Sequence, residues 1–169
     1  HAICELGQNP ERKEFYELGW HRGGSQGDLA CLKAEDVEWE NRTISFTRKK
    51  TKVPVVFHLG EEALSLLNDL PGEGCLFPYL ARVRAGDRAT EFKQRCRGLG
   101  IESVSLHSYR YAWAERAKTC GYPERFAQEA LGHNSISVRR AYAKRAKVKL
   151  PSLEEYANKA AYLSTATKP

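Results

Sequence analysis

Four residues in the second half of the chain have the types and spacing that could do chemistry. His107 and Arg110 stand three apart in a stretch that reads as helix over residues 106–119, so they share one face of it. His133 closes a Leu131-Gly132-His133 triplet 23 residues beyond Arg110, and Tyr142 lies nine residues beyond His133. Taken singly, each is ordinary: a His–Arg pair at this spacing is usually a solvated surface pair, and a helical tyrosine is usually half-buried. The ordered combination is what chance rarely provides. A phenol can be a nucleophile that forms a covalent intermediate. A guanidinium fork can clamp two anionic oxygens. Imidazoles can donate or shuttle protons near neutral pH. Such a set suits transesterification at a phosphate, with cationic side chains doing electrostatic work that needs no metal.

The elements that must position these groups are legible upstream. Residues 11–20 have helix-forming composition and lead into a glycine-rich stretch, His21-Arg22-Gly23-Gly24-Ser25-Gln26-Gly27-Asp28. A turn and a short helix through Leu29-Ala30-Cys31-Leu32 follow, and Asp36-Val37-Glu38-Trp39 closes that segment. Thr43 to Thr47 alternates and is rich in β-branched residues, and Val53 to Leu59 is a second strand. Between them Arg48-Lys49-Lys50-Thr51-Lys52 makes a cationic hairpin tip, a concentration of like charge that faces an anion or open solvent. Helix returns over 61–70, stopped by Pro71-Gly72. Residues 74–78 read as a connection, and Thr90 as the cap of a helix through Phe92 and Cys96 that ends at Gly98 and Gly100. Pro123 opens a helix that ends at Gly132, residues 136–146 form another, and Ser152-Leu153-Glu154-Glu155 is a capping box for a helix with Leu153, Tyr156, Ala157, Ala160 and Leu163 on one face. The expected fold class is mainly α with a small antiparallel β-sheet (α+β), in one domain: a core over about residues 10–150 and a C-terminal helix or tail over 151–169.

Bulk composition is consistent with this. The chain has 169 residues, 41% hydrophobic and 28% charged, which is globular rather than disordered. Its net charge of +6, from 27 Lys and Arg against 21 acids, mildly favours a polyanionic partner. Five scattered cysteines without a C-x-x-C pair argue against a disulfide framework or a zinc site, and no metal or other cofactor is expected. No apolar run spans a bilayer and no leader opens the chain, so a cytoplasmic protein without membrane contact is expected. The chain contains no Met and reads as a fragment. The glycine-rich stretch lacks the G-x-x-x-x-G-K-[ST] spacing of a nucleotide phosphate loop.

From Leu106 to Tyr142 the chain resembles the catalytic domain of the tyrosine recombinase/phage integrase family, with no gap in the spacing. Weaker likeness runs through the segment from Leu29 to Val37, Lys50-Thr51, Leu76-Phe77-Pro78 and the stretch from Phe92-Lys93 to Gly100-Ile101, so it covers nearly everything from about residue 15. The resemblance implies the DNA breaking-rejoining fold and a protein that cuts and rejoins double-stranded DNA through a 3′-phosphotyrosyl intermediate. It implies Tyr142 as nucleophile, Arg110, His107 and His133 at the scissile phosphate, and Lys50 as general acid, with Lys49 and Lys52 the neighbours that could be mistaken for it. Arg48, Lys49, Lys52, Arg139 and Arg140 are further cations for DNA. It also implies a separate core-binding domain upstream, absent here, a homotetramer on two duplexes that exchanges a C-terminal helix, and a prokaryotic nucleoid, phage or mobile-element setting. The amphipathic segment over 152–163 is either that exchanged helix or a helix packed on its own domain; the fragment alone is expected to be monomeric.

One departure stands out. The family's first catalytic arginine sits in a Gly-x-Arg context, and aligning Asp28-Leu29 with the acid-Leu pair that follows it puts Gly23 on the glycine and Ser25 on the arginine. Three readings stay open: Arg22 reaches the same phosphate, Arg48 or Lys49 compensates from the hairpin, or the protein binds DNA without efficient cleavage. Ser25 and Gln26 can still hydrogen-bond a phosphate without supplying charge, and Ser25 is expected at the pocket. A catalytically impaired DNA-binding relative is therefore the main alternative. A type IB topoisomerase is a weaker one, disfavoured by the Leu-Gly-His motif and the compact size.

Overall fold

The computed structural model describes residues 9–132 and 149–166, with side chains through Leu163. The expected helix over 136–146, and with it His133, Arg139, Arg140 and Tyr142, lies outside the described residues.

Helix α1 (Pro10–Arg22) is the axis of the domain. Asn9 accepts a hydrogen bond from the Arg12 N–H, Pro10 supplies the fixed φ of a first helical residue, and Gly23 ends the helix in the left-handed region at φ 58°. Phe15, Leu18, Gly19 and Arg22 recur at helical spacing on its buried face. Phe15 meets Phe77 edge-on and Tyr16 meets Phe92, while Gly19 lets Tyr109 approach. After the short α2 (Gln26–Ala30) and a 3-10 turn (Ala34–Asp36), β1 (Val37–Glu38), β2 (Thr43–Thr47) and β3 (Pro54–His58) form an antiparallel meander. The cationic hairpin is thus present as expected from the sequence. The sheet as a whole is mixed rather than antiparallel: β4 (Lys149–Leu150) lies parallel to β3, with Leu150 opposite Phe57. A two-residue strand carries no periodicity, so only the long-range packing of Leu150, fully buried, reveals it.

The remaining helices are α3 (Glu61–Asn68), α4 (Pro78–Arg82), α5 (Ala85–Gly98), α6 (Ser108–Thr119), α7 (Glu124–Leu131) and α8 (Leu153–Ala166). Two departures from the sequence reading have clear causes. Residues read as a connection lead directly into α4, because the distant Glu11 carboxylate accepts from the Tyr79 and Leu80 N–H groups and caps it. Helix α5 starts five residues before its expected cap at Thr90; Thr90 is inside the helix and donates its hydroxyl to the Gly86 carbonyl.

The start of α8 docks on its own domain. Leu153 is buried, the Tyr122 hydroxyl donates to the Pro151 carbonyl at 2.8 Å, and Tyr122 meets Tyr156 edge-on. The Glu154 carboxylate accepts from the Glu62 N–H in the first turn of α3, where a helix end favours negative charge. The far end differs: Tyr162 and Leu163 are exposed. Beside this junction, His21 lies 3.6 Å from Glu62. Burial pushes its pKa below the ordinary 6.5, outweighing the opposite pull of Glu62 and Glu154.

Gly23 is required twice over, by its positive φ and because an added Cβ would sit 2.5 Å from the Trp113 ring. Gly23→Ala is expected to lower unfolding stability by about 2–4 kcal/mol in urea titration; an unchanged midpoint would contradict that contact. His21 protonates more readily unfolded than folded, so stability is lost as pH falls through and below 6.5. Melting temperature should therefore drop more between about pH 7.5 and 5.5 in the wild type than in His21→Gln.

Candidate active site

The site is built where α6 crosses the end of α1 and the end of α7. Arg110, Trp113 and Ala117 fall on one face of α6; Trp113 and Ala117 are buried, and the Trp113 indole N–H donates to the His21 carbonyl. That packing presses α6 onto the last turn of α1 and points Arg110 into the junction. Its Nη1 donates to the Gly23 carbonyl at 3.2 Å, and its Nη2 donates to the Leu131 carbonyl. One guanidinium thus ties the glycine-rich loop, two residues before Ser25, to the corner two residues before His133. Burial lowers the Arg110 pKa, opposed by the negative Asp28 and by Tyr111. His107, the N-cap residue of α6, is exposed, with its ring edge-on to Tyr111 at 5.1 Å.

A second guanidinium reaches the same corner from the hairpin. Arg48 is 5% exposed, and its Nη2 donates to the Glu129 and Ala130 carbonyls at 2.8 and 2.7 Å. The last turn of a helix leaves its carbonyls without intrahelical partners. Here the Gly132 N–H takes Gln128 and Glu129, Arg48 takes Glu129 and Ala130, and Arg110 takes Leu131. Two cations at a helix C-terminus also suit its negative dipole end. Gly132, at φ 70°, permits this packing, since an added Cβ would lie 3.1 Å from the Arg48 guanidinium. Asp28, itself buried, lies 3.7 Å from Arg48 Nη1 and accepts from the Lys49 N–H at 2.8 Å.

These contacts settle the orientation of several residues singled out in the sequence. Arg48 is turned inward and does not present its charge at the hairpin tip. Lys49, Lys50 and Lys52 are exposed there. Arg22 is also interior, 4% exposed, with its guanidinium 4.1 Å from the Phe57 ring centroid and 5.1 Å from that of Phe46. Burial, and next the positive Arg48, push its pKa down to about 9, so it still carries its charge at neutral pH. Ser25 is the N-cap of α2, accepting from the Asp28 N–H at 3.1 Å. Gln26 accepts from Arg88 Nε rather than facing outward unpaired. Asp28, to which the sequence reading assigned no role at the site, is the carboxylate that holds Arg48 and the Lys49 N–H.

Among the described residues, one group of His and carboxylate side chains brings three potential metal-ligand atoms within 4.8 Å of one another: His21, Glu62 and Glu154. Glu154 is already engaged as the cap of α3. Cys31, Cys75, Cys96 and Cys120 are free thiols. No helix among the described residues is long and apolar enough to cross a membrane.

A family model described as the phage integrase family matches residues 14–148. The chain belongs to the phage integrase family. A tyrosine recombinase XerC from Roseiflexus castenholzii is 29% identical over 150 residues, 79% of this chain and 48% of the relative. Among solved structures, the integrase of mycobacterium phage Brujita matches at TM-score 0.66 and 20% identity, over 78% of this chain and 46% of that one. A lambda integrase dimer bound to a core site matches at TM-score 0.63 and 20% identity, over 82% and 54%. These likenesses show that the fold is that of integrase catalytic domains. This integrase chain spans about half the length of the XerC relative.

Asp28→Ala would leave the buried Arg48 charge without its counter-ion and the Lys49 N–H without its acceptor. It is expected to cost about 3–5 kcal/mol in urea unfolding. Asp28→Asn, which retains an acceptor for Lys49, should cost less. Equal losses from the two would mean that the charge contributes nothing.

Proposed function

We propose that this integrase domain cuts and rejoins double-stranded DNA by transesterification. The observation that carries the reading is the Arg110 guanidinium bridging the Gly23 and Leu131 carbonyls, which physically joins the His-x-x-Arg motif to the Leu-Gly-His corner. A guanidinium has five N–H donors; two are used on these carbonyls, leaving others for the non-bridging oxygens of a phosphate. The Tyr142 phenol oxygen forms a bond to phosphorus, its proton passes to a histidine or to water, and the P–O5′ bond breaks. The Lys50 ammonium supplies the proton that the leaving 5′ oxygen takes up. His107 and His133 donate to the charge that develops on the phosphoryl oxygens. Rejoining runs these steps in reverse, so no ATP, metal or other cofactor is required. Lys49, Lys50 and Lys52 at the exposed tip, with Arg139 and Arg140, hold the DNA backbone, so affinity falls steeply with salt.

In the assembled protein we place four protomers on two duplexes, with the exposed end of α8 reaching a neighbour while Glu154 in its first turn stays in place as the cap of α3. The soluble, cytoplasmic setting of a recombinase acting on a bacterial chromosome or mobile element goes with this reading.

A second reading, a catalytically impaired DNA-binding relative, has one observation in its favour. The position aligned with the family's first arginine is Ser25, whose hydroxyl is committed to capping α2. Of the three cations that could stand in for it, Arg22 and Arg48 point inward, and Lys49 is exposed at the hairpin tip. Loss of one preorganised donor typically costs roughly 10²–10³ in rate.

Nicked suicide DNA sites decide between them. The full natural-length protein should form a covalent DNA adduct slowly, with none from Tyr142→Phe or Arg110→Ala. Ser25→Arg should raise the rate by roughly 10²-fold or more, at a cost of about 1 kcal/mol for the lost cap. An adduct that persists in Tyr142→Phe refutes the nucleophile. No adduct from wild type, restored by Ser25→Arg, establishes the impaired reading.

A further inference from the structure

The hairpin that bears Lys50 is not simply a charged tip. Its first two residues are fixed from inside the domain. The Arg48 N–H donates to the Val53 carbonyl at 2.9 Å, and the Arg48 carbonyl accepts from the Lys52 N–H at 3.0 Å, so this one residue closes the turn with its backbone. Its side chain meanwhile runs inward to the Glu129 and Ala130 carbonyls and packs against Gly132. Asp28 adds a second hold, on the Arg48 guanidinium and on the Lys49 N–H. Lys50, two residues beyond Arg48, is therefore the first exposed position past a doubly anchored root.

We infer that Arg48 is a positioning residue that sets Lys50 against the scissile phosphate by locking the hairpin root to the C-terminal end of α7. The inference rests on the reading of Lys50 as the acid for the leaving oxygen. Its physical basis is the geometry of the acceptors. The carbonyls that Arg48 holds precede by one and two residues the carbonyl that Arg110 holds. The hairpin and the phosphate-clamping arginine are thus referenced to a single rigid turn of helix, and their separation cannot drift without breaking buried, charge-assisted hydrogen bonds. A proton transfer needs its donor within hydrogen-bond reach, so an acid on an otherwise solvated turn gains most from such a reference. Lysine at position 48 could face Asp28 but, as a point charge, cannot reproduce a planar fork shared among Asp28 and two carbonyls.

The test uses the natural full-length protein, two DNA sites and two variants. One site has the ordinary bridging oxygen at the scissile phosphate; the other has sulfur in place of O5′, which leaves as a thiolate and needs no proton from the enzyme. Arg48→Gln should slow adduct formation on the oxygen site by roughly 10²-fold, the scale of lost general-acid catalysis, and bring the sulfur site back to within about threefold of wild type. Arg48→Lys should fall between Gln and wild type on the oxygen site. DNA affinity at fixed salt should change by less than about threefold, because Arg48 is buried and does not reach the backbone. In parallel, exchange of the Lys49 and Lys52 amides should be at least about tenfold faster in Arg48→Gln while amides of α5 hold their rates. An equal deficit on oxygen and sulfur sites overturns the inference, as do hairpin amides that exchange at wild-type rates in both variants. If Arg48→Gln does not fold, Arg48→Lys carries the same two comparisons. A wild type that forms no adduct on either site refutes the transesterification reading, and amide exchange then still decides whether Arg48 anchors the hairpin.

Discussion

The site depends on a general property of helices: the last turn has carbonyls and no amides to satisfy them. In α7 that deficit is filled by two guanidiniums arriving from opposite parts of the fold, Arg48 from the sheet and Arg110 from α6. The cost of burying two cations is offset by the negative end of the helix, by three carbonyl acceptors and by the Asp28 carboxylate. Much of the rest of the structure serves this arrangement. Gly23 and Gly132 adopt left-handed conformations that let a ring and a guanidinium approach bare backbone. Trp113 fixes α6 on α1 so that Arg110 has one place to go.

The same arrangement explains why a family member can carry serine where an arginine is expected and keep its fold. Ser25 is a good N-cap, and its hydroxyl does the structural work of starting α2. The local charge balance does not rely on position 25, because Asp28 is matched by Arg48 and lies close enough to oppose the burial of Arg110. The fold is therefore independent of a cation at this position.

Much of this was legible in the sequence. The hairpin, the glycine ends of α1 and α7, and the helix that carries His107 and Arg110 follow from spacing and turn chemistry. What was misread was the direction of charged side chains. Arg48 sits in a run of cations that reads as a solvated tip, yet Ile44, Phe46 and Arg48 alternate along β2 and the residue just past its end, on the inward side. Arg22 likewise completes the helical series Phe15, Leu18, Gly19, Arg22. Periodicity marked both as interior; their charge concealed it. Other features have no local signal at all. The cap that Glu11 provides for α4 and the pairing of β4 with β3 join segments far apart in the chain.

That separation has a consequence for how the domain comes to be. Arg48 bonds to residues 81 and 82 positions later, and Arg110 to a residue 87 positions earlier. Contacts of such sequence separation form late, after local helices and the meander, because loop-closure entropy must be met first. A nascent or half-refolded chain would hold its helices without the cluster, so the two-arginine anchor would be acquired in one cooperative step at the end of folding. The anchor is in this way timed by the topology: a chain that is not yet whole would have its helices but not the turn that Arg48 and Arg110 share.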